Sequence, residues 1–309
     1  MNTAQRYYSF NTYLKKRFGE RVHRLSVNPG FGCPNCDGTL SHTGCVFCNN
    51  AAFTWEQGGN PVSLDEQISL SAQRVRRRFH ANKFILYFQA HTGTYAPPDR
   101  LKEVYSVIDR HPDIVGLCVS TRPDCAGEET LEVLASFLPR YEVFVEYGLQ
   151  SMHDETLRRI HRNHTCADFV RAVRRSAEMG LHAGAHVILG LPGETSREMC
   201  ETARLLSELP LWGVKFHALH VVRGTELERE WEKNEVSLLT EDEYIDHLIR
   251  CLEYLPEETV ILRLISDAKK PYLRAPAWLN QKPRVLRKFR SELERRNTRQ
   301  GRLLAGERK

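Results

Sequence analysis

The chain reads as an α/β protein built on a parallel sheet. Three observations carry this. Short apolar runs alternate with stretches of helical periodicity, and successive runs begin about 30 residues apart, the size of a βαβ unit. The runs are also apolar on both sides, as parallel strands covered by helices must be. Open doubly wound sheets and full or partial barrels both satisfy the pattern. At 309 residues, with 41 % apolar and 27 % charged content, the chain can bury one large core, alone or with an appendage, and disordered and collagen-like classes drop out.

The first 20 residues mix Tyr and Phe with Arg and Lys, which predicts a short helix packed on the body. Arg21 to Val27 alternates like a strand and runs into a cysteine-rich loop. Residues 63–80 open on Ser63 and Glu66, a capping box, and Ile68, Ala72, Val75 and Phe79 recur at helical spacing. Arg74, Arg76, Arg77 and Arg78 read as the solvated face of that helix, with an RNA-facing role as the alternative. Further strands are expected at Phe84 to Phe88, Ile114 to Val119, Glu142 to Gln150, Gly184 to Gly190, Gly213 to Val221 and Val260 to Ile265. Helices are expected from near Pro97, from Glu128 to Leu138, and from Asp154 onward to Met179, closed by Gly180. Two more start at the boxes Thr195/Glu198 and Thr240/Glu243 and reach Leu209 and Leu255. A composition shift near residue 226 divides a 20-residue N-terminal extension and a core at 21–225 from a C-terminal extension at 226–309.

No run of about 18 apolar residues offers a transmembrane helix, so no membrane partner is expected. The opening residues lack the apolar core of a secretory signal. With nine cysteines, an odd number, the reading is a chain of the reducing cytoplasm. Residues 282–309 hold eleven Lys/Arg against three Asp/Glu, a net of +8, which leaves the other 281 residues at −3. A basic tail on a near-neutral body suits a polyanion such as RNA, or is simply a solvated helix.

Residues 31–50, FGCPNCDGTLSHTGCVFCNN, hold Cys33, Cys36, Cys45 and Cys48. Clustered thiolates on a Gly-rich loop suit zinc or an iron–sulfur cluster. Four ligands would enclose a structural zinc, although the spacer between the pairs is shorter than the roughly 15–20 residues of the usual zinc pattern. Three ligands, Cys33, Cys45 and Cys48, would hold a four-iron cluster with one iron open. Spacing alone leaves both standing. The loops after the later strands add weight to the second: QAHTGTY, STRPDC, QSMHDE, GLPGET and HVVRGT are polar and Gly-rich, and in α/β folds such loops share one rim with the chemistry.

The run CPNCDG…GCVFC, with YFQAHTGTYAP, GLCVSTRPDC, EYGLQS, HVILGLPGE, the segment Lys215 to Thr225 and APAW at Ala275 to Trp278, resembles the radical S-adenosylmethionine (radical SAM) superfamily. More closely it resembles the YhcC/YtqA-type family, related to the radical SAM domain of the Elongator catalytic subunit. The resemblance implies a partial (β/α)6 TIM-like barrel and a [4Fe–4S] cluster on Cys33, Cys45 and Cys48, whose open iron is chelated by the amino and carboxylate groups of SAM. One electron then splits SAM to a 5′-deoxyadenosyl radical that removes a substrate hydrogen.

The resemblance also implies SAM contacts. Gln89, Ala90, His91 and Thr92 occupy the segment that holds the methionyl amino group, Gln150 and Ser151 reach the ribose, and Arg162 suits the SAM carboxylate. Ile188, Gly190 and Glu194 lie on the motif that lines the adenine. Each has a plainer role as well: barrel core for Ile188, a turn for GLPGE, a local ion pair for Arg162. Glu146, Lys215, His217 and His220 are polar groups on or just after apolar strands, hence candidates for the substrate side or for buried pairing. Asp124 and Cys125 share their rim, and Cys118, Cys166, Cys200 and Cys251 read as small buried hydrophobes. Two departures stand out: Cys36 replaces the family's usual Arg, and Arg263-Leu264 stands where members often carry His-Arg, so the resemblance assigns no substrate role there.

Three functions follow in order. The first is a radical SAM enzyme acting on the side chain of wobble uridine in tRNA, reduced by a flavodoxin or ferredoxin. The second is a radical SAM enzyme with a small-molecule or peptide substrate. The third is a zinc-dependent nucleic-acid-binding protein without catalysis.

Overall fold

Helix α1 (Phe10–Phe18) leads into strand β1 (Val22–Val27), and after the cysteine loop the chain alternates. In order come α2 (Leu64–Phe79), β2 (Lys83–Phe88), α3 (Pro98–Tyr105), β3 (Ile114–Thr121), α4 (Glu128–Ala135) and β4 (Glu142–Gln150). Then follow α5 (Asp154–Arg159), α6 (Cys166–Glu178), β5 (His182–Leu189), α7 (Ser196–Ser207), β6 (Gly213–Ala218) and the short β7 (Val221–Val222). The chain closes with α8 (Glu226–Glu232), α9 (Glu241–Glu253), β8 (Val260–Arg263), β9 (Leu273–Ala275) and α10 (Lys282–Arg295). This is a computed structural model that describes residues 6–49, 62–266 and 268–304. No helix among the described residues is long and apolar enough to cross a membrane.

One parallel sheet runs β1-β2-β3-β4-β5-β6-β8, and a two-stranded antiparallel pair joins β7 to β9. Neighbours in the sheet are neighbours in sequence, as right-handed βα crossovers dictate. Among the described residues no ladder closes β1 onto β8, so the sheet is a partial barrel, as expected. The seventh strand, β8, comes from the expected C-terminal extension.

Local signals set the helices. Thr195/Glu198 and Thr240/Glu243 form full capping boxes on α7 and α9. Thr165/Asp168 adds one on α6 that was not anticipated; each such cap stabilises its helix by about 1 kcal/mol. Ser63 caps α2 by accepting from Glu66 N. GVKFHALHV was expected as one strand, but it divides: β6 ends at Ala218, and Val221–Val222 pair with Leu273–Ala275 instead.

Strand β4 shows how the faces sort. Val143, Val145, Tyr147 and Leu149 pack in the main core under the helices, whereas Phe144, one position out of phase, joins a separate interior cluster. That cluster plugs one end of the barrel. Phe10 and Tyr13 of α1 meet Phe144 and Trp212 edge-on, with Tyr13 and Trp212 rings 4.9 Å apart. Ser9 bridges to Ile261, so the N-terminal helix fills the gap between β1 and β8.

Among the described residues, five of the eleven basic side chains of the tail pair with carboxylates. Arg284 pairs with Glu241, Lys288 with Asp242, Arg296 with Asp246, Arg299 with Glu257, and Arg295 with Glu292 of its own helix. Residues 305–309 of that tail lie outside the described residues. On α2, Arg76 is likewise paired, with Asp113.

Candidate cofactor and substrate site

Above the aromatic plug, the interior face of β4 presents Glu146, which is fully buried. An isolated carboxylate there would be costly, but this one has four nitrogen or hydroxyl partners besides the Cys118 thiol at 3.6 Å. Arg24 Nη2 lies 2.5 Å from Oε1, and Lys215 Nζ, the Tyr87 hydroxyl and His186 Nε2 lie 3.0, 2.9 and 2.7 Å from Oε2. Burial alone would raise the Glu146 pKa; Arg24, Lys215 and His186 outweigh it and hold the carboxyl well below its ordinary range. Burial and the nearby Lys215 push His186 down to about 4. Burial likewise brings Lys215 down to about 8, against the pull of Glu146. Of the expected substrate-side residues, Glu146 and Lys215 thus turn out to be partners of each other.

Beyond this charged layer two adjoining cavities open at the C-terminal ends of the strands, sharing Phe47, Cys48, His91, Ser120, Gln150 and His186 as walls. The inner one, about 150 Å³, is lined by Cys33, Cys36, Cys45 and Cys48 together with Thr92, Arg122, Gly148 and Arg162. Tight turns set the thiols: Cys36 N donates to Cys33 O at 2.8 Å and Cys48 N to Cys45 O at 2.9 Å. Thr92 N donates to Gly32 O, tying the cysteine loop to the segment after β2. Cys45 is buried and Cys36 is exposed. Burial and the neighbouring thiols push the Cys48 pKa up, so a bound cation is what would hold it as a thiolate.

Three basic or amide side chains surround the sulfurs. Arg162 donates to Gly148 O from Nη2 (2.8 Å) and Nε (3.2 Å), and its Nη1 approaches Cys45 Sγ at 3.6 Å. It makes no local ion pair among the described residues. Asn35, fully buried, reaches Cys45 Sγ at 3.4 Å and His161 O at 2.8 Å. Arg122, 2 % exposed, forks onto Asp124 and donates to Asn163 O. Its Nη1 and the Thr92 hydroxyl are buried without a partner, and each such atom costs about 1–3 kcal/mol unless something meets it. Arg122 and Asn35 were not singled out from sequence. Arg122 stands between Thr121 and Pro123 and reads as part of a turn, and nothing local marks Asn35 as buried.

The other expected contacts divide. Gln150, at a β-bulge against β5 with φ +76°, lines both cavities. Gln89 and Ile188 line the outer one, and Gln89 Oε1 accepts from Ser26. Ala90, Ser151, Gly190 and Glu194 line neither. Ser151 and Glu194 hydrogen-bond to each other instead, and burial raises the Glu194 pKa to about 6. Gly190 donates to Met199 Sδ, and a Cβ there would meet Leu239 at 2.8 Å. His217 and His220 line the outer cavity. Cys118 and Cys251 are buried as expected, but Cys166 and Cys200 are partly exposed.

Residues 27–206 match the Radical SAM superfamily model and residues 211–295 the Radical_SAM C-terminal domain. The chain is 34 % identical over 300 residues to the uncharacterized protein YtqA of Bacillus subtilis (strain 168), covering 97 % of this chain and 93 % of that one. It is 37 % identical over 270 residues to protein YhcC of Escherichia coli (strain K12), covering 87 % and 86 %. A shorter match, 29 % over 156 residues, covers 50 % of this chain and 28 % of the tRNA uridine(34) acetyltransferase of Methanocaldococcus jannaschii. Among solved structures, the archaeal Methanocaldococcus infernus Elp3 superposes with a TM-score of 0.66 at 17 % identity, over 90 % of this chain and 64 % of that one, a likeness of fold. By family model and by whole-length relatives alike, the chain belongs to the radical SAM superfamily, alongside YtqA and YhcC, and is an enzyme that works with a [4Fe–4S] cluster and S-adenosylmethionine.

Proposed function

We propose that the chain modifies the side chain of wobble uridine in tRNA, with Cys33, Cys45 and Cys48 as the residues that would hold the cluster and Thr92, Gln150, Arg162 and Ile188 among those that would hold SAM. The observation that carries the tRNA reading is the match, over half of this chain, to a tRNA uridine(34) acetyltransferase. The third reading, a zinc module without catalysis, gives way to membership of an enzyme superfamily.

The residues of the inner cavity fit the cofactors. Four thiols, Cys36 among them, two buried guanidinium groups and the unmet atoms Thr92 Oγ1 and Arg122 Nη1 face one space, a donor set suited to an anionic sulfide cluster and an amino-acid carboxylate. When bound, the pair supplies the 5′-deoxyadenosyl radical that takes a hydrogen from substrate.

Everything else is positioning by this chain. Arg162, locked to Gly148 O, presents Nη1 beside Cys45 and toward a carboxylate. Thr92 contributes its hydroxyl to the amino group, together with backbone carbonyls of Gln89 to His91. Gln150 reaches the ribose, and Ile188 gives the adenine an apolar wall. Ser151, Gly190 and Glu194 act one step back: Glu194 fixes Ser151, and Gly190 lets the strand pass Leu239. Phe47 and Leu219 exclude water from the outer cavity. Residues 21–225 form the radical SAM core, and the extension at 226–309 completes the sheet through β8. A flavodoxin or ferredoxin is the expected electron donor.

The second reading, a small-molecule or peptide substrate, is favoured by one observation: five basic side chains of the tail are already paired with carboxylates, which leaves fewer for phosphates. Nucleoside profiling of tRNA from cells lacking the protein separates the two. A wobble uridine whose side chain stops at a precursor supports the tRNA reading; an unchanged profile removes it.

A further inference from the structure

The outer cavity, about 200 Å³, has a one-sided charge. Lys215 and Arg263 line it with His91, His186, His217 and His220, and among the described residues no Asp or Glu does. The nearest carboxylate, Glu146, lies behind the wall and is already shared by Arg24 and Lys215. Glu146 is thus shared by two cations, and Arg263 adds a further positive charge on the cavity wall. Lys215 Nζ is committed to Glu146 and to the Tyr87 hydroxyl at 2.9 Å. Arg263 is not committed: it makes no hydrogen bond or ion pair with any described residue, yet stands close enough to Lys215, His186 and His217 to depress their proton affinity. Beside it, His217 Nε2 is buried and without a partner. A guanidinium and an imidazole nitrogen without protein partners on one cavity wall are donors that an oxyanion would satisfy.

We propose that the part of this outer cavity around Arg263 and His217, apart from the Gln89, Gln150 and Ile188 walls assigned above to SAM, is a substrate subsite that takes an oxyanion of the substrate, a carboxylate or a phosphate, forked by Arg263 and contacted by His217 Nε2. The planar guanidinium matches two oxygens of such a group. The SAM carboxylate is not needed to explain the charge, because Arg162 and Arg122 stand beside the cysteines in the inner cavity. The proposal rests on the reading above that the cluster and the methionyl end of SAM occupy that inner cavity. It extends to Arg263 a role that the motif resemblance did not assign: β8 shifts register against β6 between Val214 and Lys215, which sets Arg263 opposite Lys215.

The test uses the anaerobically reconstituted holoenzyme without tRNA. Its melting temperature is measured with sodium phosphate, sodium acetate or sodium chloride at matched ionic strength, for wild type, R263Q, R263K and H217Q. Phosphate or acetate should raise the wild-type Tm above the chloride control by about 2 °C at about ten times its Kd. R263Q should lose the rise, while R263K and H217Q should keep part of it. A rise with phosphate alone identifies a phosphorylated substrate group, with acetate alone a carboxylate, and with both a site that reads charge. No rise over chloride in wild type, or the same rise in R263Q, overturns the proposal. SAM affinity is measured on the same samples. If R263Q loses SAM binding together with the oxyanion effect, the cavity belongs to SAM and the proposal falls, while the cofactor assignment stands. The tRNA reading is decided separately by nucleoside profiling, so the two can fail independently.

Discussion

Gly148→Ala is a small change aimed at the seat of Arg162. The added Cβ would lie 2.5 Å from Arg162 Nη2 and 2.8 Å from Gln150 Nε2. Both are ends of flexible side chains, so the chain should fold, with Arg162 driven off the Gly148 carbonyl and its two donated bonds of 2.8 and 3.2 Å lost. If that guanidinium holds the SAM carboxylate, its displacement forfeits a hydrogen bond to a charged group, about 1.5–3 kcal/mol. In affinity this corresponds to roughly 13- to 160-fold in the Kd for SAM. Anaerobic calorimetry on reconstituted protein reads the value, with circular dichroism and iron content checking that fold and cluster survive. Arg162→Lys should weaken SAM comparably, and the double variant should fall well short of the sum, because both changes remove one interaction. A SAM affinity within twofold of wild type, in a G148A protein that retains its cluster, would show that Arg162 serves the fold alone.

Two further outcomes concern the charged layer and a third the polyanion. Glu146→Gln keeps the volume but leaves Arg24 and Lys215 buried beside a neutral amide, which should cost about 3–5 kcal/mol. For a chain of this length that is a Tm lower by roughly 5–8 °C; a drop under about 1 °C in a thermal melt would contradict the network. His186, held at about 4 by burial and Lys215, refuses below pH 6.5 a proton that the unfolded chain accepts. Its neutral form therefore contributes stability that is present above about pH 6.5 and lost as pH falls toward 4, with about 2 kcal/mol gone at pH 5. His186→Gln should flatten that part of the Tm–pH curve, and an unchanged curve would refute the assignment. Should tRNA be the substrate, its Kd should rise steeply between about 50 and 200 mM salt, as filter binding reports; a flat dependence would favour the small-molecule or peptide reading.

Much of the fold was legible because it is written locally. β4 begins and ends where its apolar run does, and the boxes at Thr195 and Thr240 fix the starts of α7 and α9. The cysteine loop and five following loops were expected on one rim. The cavity walls do include Cys33, Thr92, Arg122, Gln150 and His220 from five of these loops, although the GLPGET loop contributes none. What was not legible depends on partners distant in sequence. Val221–Val222 leave the β6 run because Leu273–Ala275 offer another edge. The basic tail looked available to phosphates until α9 laid Glu241, Asp242 and Asp246 against it. Arg24 sits in an ordinary alternating strand, and only Glu146, on a strand two away in the sheet order from its neighbour β2, reveals it as buried. Arg263 was passed over because its motif departs from the family, whereas its position in the wall follows from register rather than from motif.

In the proposed site Cys33, Cys45 and Cys48, and not Cys36, hold the cluster. Iron content and Mössbauer spectra of anaerobically reconstituted wild type, C33A, C36A, C45A and C48A test it most directly. Wild type and C36A should bind about four irons, with one iron site altered by SAM, and the other three variants should lose the cluster. Loss at Cys36 equal to that at Cys33, Cys45 and Cys48, or spectra in which SAM leaves every iron unchanged, would contradict the account.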